Sequence, residues 1–156
     1  MLFRSGAPVI VIDTDVLALY HFFTKDDRHN TACTFIRDTQ EIPRGTTIYN
    51  LLELAGILSV AGKPGPARSL LEAYATAADM QVLFPHLSPL SPEVFWADYS
   101  GELMEMMERG LLYGDAKVLW VAENSNASSL VTWNTRHYQE KTPLSVLSPD
   151  EYLADT

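Results

Sequence analysis

The sequence predicts an α/β fold of three layers, a mostly parallel central sheet flanked by helices on both faces. Three observations carry that expectation. The aliphatic run Val9-Ile10-Val11-Ile12 reads as a strand buried on both faces, the kind found in parallel sheets. Two later runs, Ser129-Leu130-Val131-Thr132-Trp133 and Leu144-Ser145-Val146-Leu147, have the same character. Segments of helical periodicity separate them, so strands alternate with helices.

The elements follow in order. Val16 to Phe23 is apolar enough for a short buried helix, and Lys25 to Asn30 is a polar break. Thr31 to Asp38 reads as a helix with Ala32, Phe35 and Ile36 inward. Pro43-Arg44-Gly45 reads as a turn. Thr47 is placed to cap a helix from Ile48 to Ala61 that stops at Gly62-Lys63-Pro64-Gly65-Pro66. Ala67 to Ala78 is helical by its spacing of Leu70, Leu71, Tyr74 and Ala78, and Gln81 to Phe84 is a short strand candidate. Pro85 to Pro92 is a Pro/Ser-rich loop, Glu93 to Arg109 a long helix stopped by Gly110, and Asp115 begins a helix running to Glu123.

A chain of 156 residues is expected to form one domain, and 47% hydrophobic residues can fill its core. No apolar run approaches the roughly 20 residues of a membrane span, and the opening six residues read as too short for a signal peptide. A single cysteine, Cys33, fits a reducing, cytoplasmic setting, most simply as a small buried hydrophobe. The net charge of −9 opposes long-range attraction of polyanions. If the substrate is nucleic acid, metal ions, a local basic patch or a basic partner must offset that field.

Chemistry concentrates at four acids. Asp13 closes the first strand and opens Asp13-Thr14-Asp15-Val16, where open α/β sheets place ligand crevices. Two carboxylates desolvated there need a cation or a proton to balance them, whereas a plain helix cap would need neither. Glu53 stands in an apolar helix, which requires that it be paired, metal-bound or turned to solvent. Asp115 follows Gly114 at a helix start, where the dipole alone favours an acid. Asn134 ends the next strand, a place for a crevice ligand or for a turn. Oxygen-rich clusters of this kind bind Mg²⁺ or Mn²⁺, and such ions activate water against a phosphodiester.

In this order and spacing, Val-Ile-Asp13-Thr-Asp15-Val-Leu, Thr47 with Glu53 six residues on, Gly-Asp115-Ala and Leu-Val-Thr132-Trp-Asn134-Thr-Arg-His-Tyr resemble the motifs of PIN domains, nearest to the single-domain VapC-type toxin ribonucleases. The resemblance spans about Val9 to Leu147. It implies an endoribonuclease that needs Mg²⁺ or Mn²⁺ and cleaves single-stranded or structured RNA. Asp13, Glu53 and Asp115 would be the catalytic, metal-holding acids, and Asp15, Thr132 and Asn134 would support them. By their place just past Asn134, Arg136 and His137 read either as a phosphate contact or as a surface pair. The resemblance further implies a homodimer and an antitoxin partner. The chain departs from the pattern twice: Asp15 stands where asparagine is commoner, and Asn134 where many members carry a fourth acid.

Two rival readings remain. Asp13-Thr14-Asp15 also resembles the opening motif of haloacid-dehalogenase-type phosphatases, with Asp13 as nucleophile. That reading asks Asp115 to close a hydrophobic strand, yet a helical pattern precedes it. The other rival is a PIN-like binding module without catalysis. The histidines are dispersed, with no metal-ligand spacing, and read as surface or core imidazoles. Glu102, Glu105 and Glu108 form one acidic helix face, either solvated or suited to a basic partner.

Overall fold

β1 (Val9–Ile12) sends Val9 and Val11 to one face of the sheet and Ile10 and Ile12 to the other, and all four are buried. An uninterrupted aliphatic run is stable in this position because both faces are covered. The computed structural model of the chain describes residues 6–86 and 91–155. From β1 the chain passes through α1 (Thr14–His21), α2 (His29–Asp38), β2 (Arg44–Thr47), α3 (Ile48–Val60), α4 (Pro64–Thr76) and β3 (Gln81–Leu83). It continues through α5 (Pro92–Glu108), α6 (Tyr113–Glu123), β4 (Ala127–Val131), α7 (Thr135–Tyr138), β5 (Ser145–Leu147) and α8 (Pro149–Ala154).

Among the described residues these strands form one sheet in the order β3-β2-β1-β4-β5. Every pairing is parallel, a stricter arrangement than the mostly parallel sheet the sequence predicts. Val16 and Leu17 of α1, Phe35 of α2 and Leu51 and Leu54 of α3 pack with Ile10 and Ile12 on one face. Leu103 and Met106 of α5, with Leu119 and Trp120 of α6, pack with Val9 and Val11 on the other. The result is three layers, α/β/α. No helix among the described residues is long and apolar enough to cross a membrane.

The sequence misplaces several boundaries and one element. Arg44 and Gly45 do not turn; they open β2, whose four residues are all buried. The strand lacks the aliphatic signal because its burial is polar. The Arg44 guanidinium, 2% exposed, donates to the Ile36 and Asp79 carbonyls, to Thr39 Oγ1 and to Asp79 Oδ2. Gly45 is required by close approach: a Cβ there would lie 2.9 Å from the Gln81 carbonyl of the neighbouring strand. Pro64 and Pro66 begin α4 rather than ending α3, since proline is tolerated in a first helical turn. Of the expected loop from Pro85 to Pro92, residues 87–90 lie outside the described residues, and Pro92 already belongs to α5. Gly110 ends α5 as expected, with φ +89°. Cys33 is only partly buried.

From β1 the sheet grows through β2 and β3 to one side; β4 and β5 lie on the other. The reversal falls between β1 and β4, and the crevice that open α/β sheets use for ligands lies at the carboxyl ends of those two strands.

Candidate active site

Asp13 leaves the end of β1 with extended backbone and becomes the N-cap of α1. Its carboxylate is buried and takes four hydrogen bonds. Oδ1 accepts from the Thr14 N–H at 2.8 Å and from Asn50 Nδ2 at 2.7 Å. Oδ2 accepts from Thr132 Oγ1 at 2.9 Å and from the Tyr138 hydroxyl at 3.3 Å. Burial first, and then the neighbouring Asp15 charge, push its carboxyl up to about 7, against the hydrogen bonds that favour the charged form.

Asp15 sits in the first turn of α1 and turns toward β4. Its Oδ2 accepts from the N–H groups of Trp133 and Asn134, at 2.9 and 3.1 Å, and from Thr132 Oγ1 at 3.2 Å. Its other oxygen, Oδ1, is buried with no hydrogen-bond partner. Burial raises the Asp15 carboxyl as well, opposed chiefly by the Trp133 N–H. A desolvated carboxylate oxygen without a donor is costly unless something outside the protein meets it.

Glu53 projects from α3, exposed, and its Oε2 accepts from Thr14 Oγ1 at 2.8 Å. Asp115 lies in the first turn of α6, half-buried; its Oδ1 accepts from the Tyr138 hydroxyl at 3.2 Å, and its Oδ2 meets His137 Nδ1 at 3.0 Å. Asp13, Asp15, Glu53, Asp115 and Asn134 all line one open cavity of about 630 Å³. Thr132 lies buried beneath it, just past β4. Arg136 is exposed on α7 and is not part of the lining. The basic side chains on the wall are Arg28 and His137.

Several members of this site are absent from the sequence reading or appear in it with another role. Asn50, fully buried, closes a capping box with Thr47 and presents Nδ2 to both Asp13 and Thr14 Oγ1. Its signal was its place one helical turn before Glu53, on the same face of α3. Tyr138 joins Asp13 to Asp115; it closes the late motif that begins at Leu130, but its residue type by itself reads as a core aromatic. His137, which the sequence offers only as a phosphate contact or surface residue beside Arg136, joins the site through Asp115. Arg28 reaches the cleft from the polar break, paired with Asp26 and lying 5.7 Å from the Trp133 ring centre.

The donor set fits a divalent cation in its chemistry. It is all oxygen, it carries more negative than positive charge, and Asp15 Oδ1 is an orphaned acceptor. Yet among the described residues no three His, Cys, Asp or Glu side chains draw together as a ready ion-binding group. Much of the acceptor capacity of Asp13 is instead taken up by protein donors. The phosphatase reading loses its support, because Asp115 stands in a helix and not at the end of a strand.

No family model matches the chain, and no curated protein sequence matches it. Solved structures do. The sarcin-ricin loop cleaving toxin VapC20 of Mycobacterium tuberculosis superposes with a TM-score of 0.57 at 19% identity, covering 78% of this chain and 86% of its own. VapBC2 of Rickettsia felis, solved bound to a DNA fragment from its promoter, gives 0.59 at 16%, covering 88% and 96%. A toxin-antitoxin complex from Klebsiella pneumoniae gives 0.57 at 17%, covering 90% and 97%. The chain therefore has the PIN-type fold of the VapC toxins.

Proposed function

We propose that this protein is a divalent-cation-dependent endoribonuclease of the VapC toxin kind, working in the cleft at the ends of β1 and β4. What supports the reading above all is the convergence of Asp13, Asp15, Glu53 and Asp115 on one cavity, with the partnerless Asp15 Oδ1 buried beside it. Among the described residues, the cleft wall carries no serine, cysteine or lysine nucleophile. Cys33 Sγ stands 3.4 Å from His29 Nε2 on α2, but neither residue lines the cavity.

In this reading Asp13, Glu53 and Asp115 hold Mg²⁺ or Mn²⁺, with Asp15 as a further oxygen donor. A bound ion would supply a water of lowered pKa and a counter-charge for the phosphodiester. The chain's own residues do the rest. Thr132 and Asn50 fix the Asp13 carboxylate, and Thr14 steers Glu53. The backbone beyond β4 holds Asp15. Arg28 offers a cation to a phosphate, with Arg136 a second contact outside the cavity. Ala18, Leu19, Phe23 and Ile57 form an apolar part of the same wall, and Phe23 is 49% exposed, suited to an unstacked base.

The substrate is single-stranded RNA or an exposed loop of structured RNA, in line with the loop that VapC20 cleaves. A homodimer and an antitoxin belong to the same proposal. The exposed Glu102, Glu105 and Glu108 of α5 suit a basic partner segment. The test pairs two substrates. Wild-type protein should cut an RNA hairpin with Mn²⁺ and not with EDTA, Asp13→Ala should be inactive, and p-nitrophenyl phosphate should not turn over. Monoester turnover without RNA cleavage overturns the proposal.

A further inference from the structure

Each oxygen of Asp13 and Asp115 already meets a protein group, and one group serves both residues. Tyr138 Oη lies 3.3 Å from Asp13 Oδ2 and 3.2 Å from Asp115 Oδ1. A phenol has one proton, so it cannot donate fully to two carboxylates. These contacts are also the longest that either carboxylate makes; the others fall between 2.7 and 3.0 Å. Tyr138 therefore spans the two acids with a bridge that is geometrically central and weakly held. Its ring is 1% exposed and packs in the core cluster beneath α6, so the hydroxyl is fixed in place. Burial and the adjacent acids hold the phenol well above its usual range, which keeps it a donor.

We propose that Tyr138 is a positioning residue whose hydroxyl bridges Asp13 and Asp115 and competes with a divalent cation for at least one of them. The inference rests on the ion-dependent reading of the cleft. It accounts for why, among the described residues, four acids line one cavity without forming a ready three-acid group: a shared proton stands between two of them. The bridge occupies carboxylate oxygens that an ion would need and so weakens ion binding.

Tyr138→Phe tests this because it keeps the buried ring and removes only the hydroxyl. Melting curves with EDTA and with saturating Mn²⁺, together with Mn²⁺ titration calorimetry, give the readouts. In EDTA the variant should melt roughly 3–6 °C below wild type, the loss of a hydrogen bond to a charged group. At saturating Mn²⁺ the two should melt together, and the variant should bind Mn²⁺ about tenfold more tightly. An equal drop with and without the ion, or unchanged or weaker Mn²⁺ binding, overturns the bridge while leaving the ion site standing. A wild-type protein that does not respond to Mn²⁺ removes the ion site and the bridge with it.

Discussion

The floor of the cleft and its rim are built on opposite terms. On the floor, Asp13, Asn50, Thr132 and Tyr138 are buried and joined by hydrogen bonds between β1, α3, the end of β4 and α7. At the rim, Glu53, Asn134 and His137 are exposed, and Glu53 touches the floor network through one hydrogen bond from Thr14. Polar groups that are buried must satisfy one another, so the floor is part of what holds the fold together. Polar groups in water need not, so the rim is free to serve a ligand. Substitutions should separate the two regions accordingly.

The largest effect is expected on the floor. Asn50→Leu removes the capping-box partner of Thr47 and a 2.7 Å donor to a buried carboxylate. Equilibrium urea unfolding should show a loss of about 3 kcal/mol, from the lost cap and the unmet acceptor together. A loss under about 1 kcal/mol would mean that the floor contributes little and the contrast fails.

The next effect is on pH. The Asp13 carboxyl is raised from 3.8 to about 7, so between those values the folded protein holds a proton that the unfolded chain has released. The resulting stability is fully present below about pH 4 and is lost as pH rises through 7. Over the pH 5 to 8 window the shift corresponds to less than about 3 kcal/mol, shared with the neighbouring Asp15. In EDTA, wild type should therefore lose stability relative to Asp13→Asn between pH 5 and pH 8. Parallel pH profiles for the two proteins would rule out the raised pKa.

The smallest stability effect belongs to the rim. Glu53→Gln keeps the shape of an exposed side chain, so denaturation should move by no more than about 0.5 kcal/mol. RNA cleavage should nevertheless fall at least about tenfold, since a charge facing the cavity is gone. A variant that is destabilised but still active would place Glu53 on the floor instead.

The same contrast explains what the sequence discloses. The layers are legible because β1 is aliphatic on both faces and α3 begins with a readable cap at Thr47. The acids are legible because each stands at an element boundary or in apolar surroundings, where a carboxylate needs a reason. β2 is illegible because its burial is met by the guanidinium of Arg44 and the missing side chain of Gly45, neither of which carries a hydrophobic period. Tyr138 and Asn50 are illegible because their roles come from contacts 125 and 37 residues away in sequence, to Asp13. His137 gains its partner in the same way, from Asp115.

The claim that matters most is that the four acids act as one ion site serving RNA cleavage. Its most direct test is a Mn²⁺ titration read two ways, by melting temperature and by the rate of RNA cleavage, on wild type and Asp115→Asn. In wild type both signals should rise together and saturate over the same Mn²⁺ range, and in Asp115→Asn both should be nearly flat. RNA cleavage that survives EDTA, or equal Mn²⁺ stabilisation in the two proteins, would contradict the account.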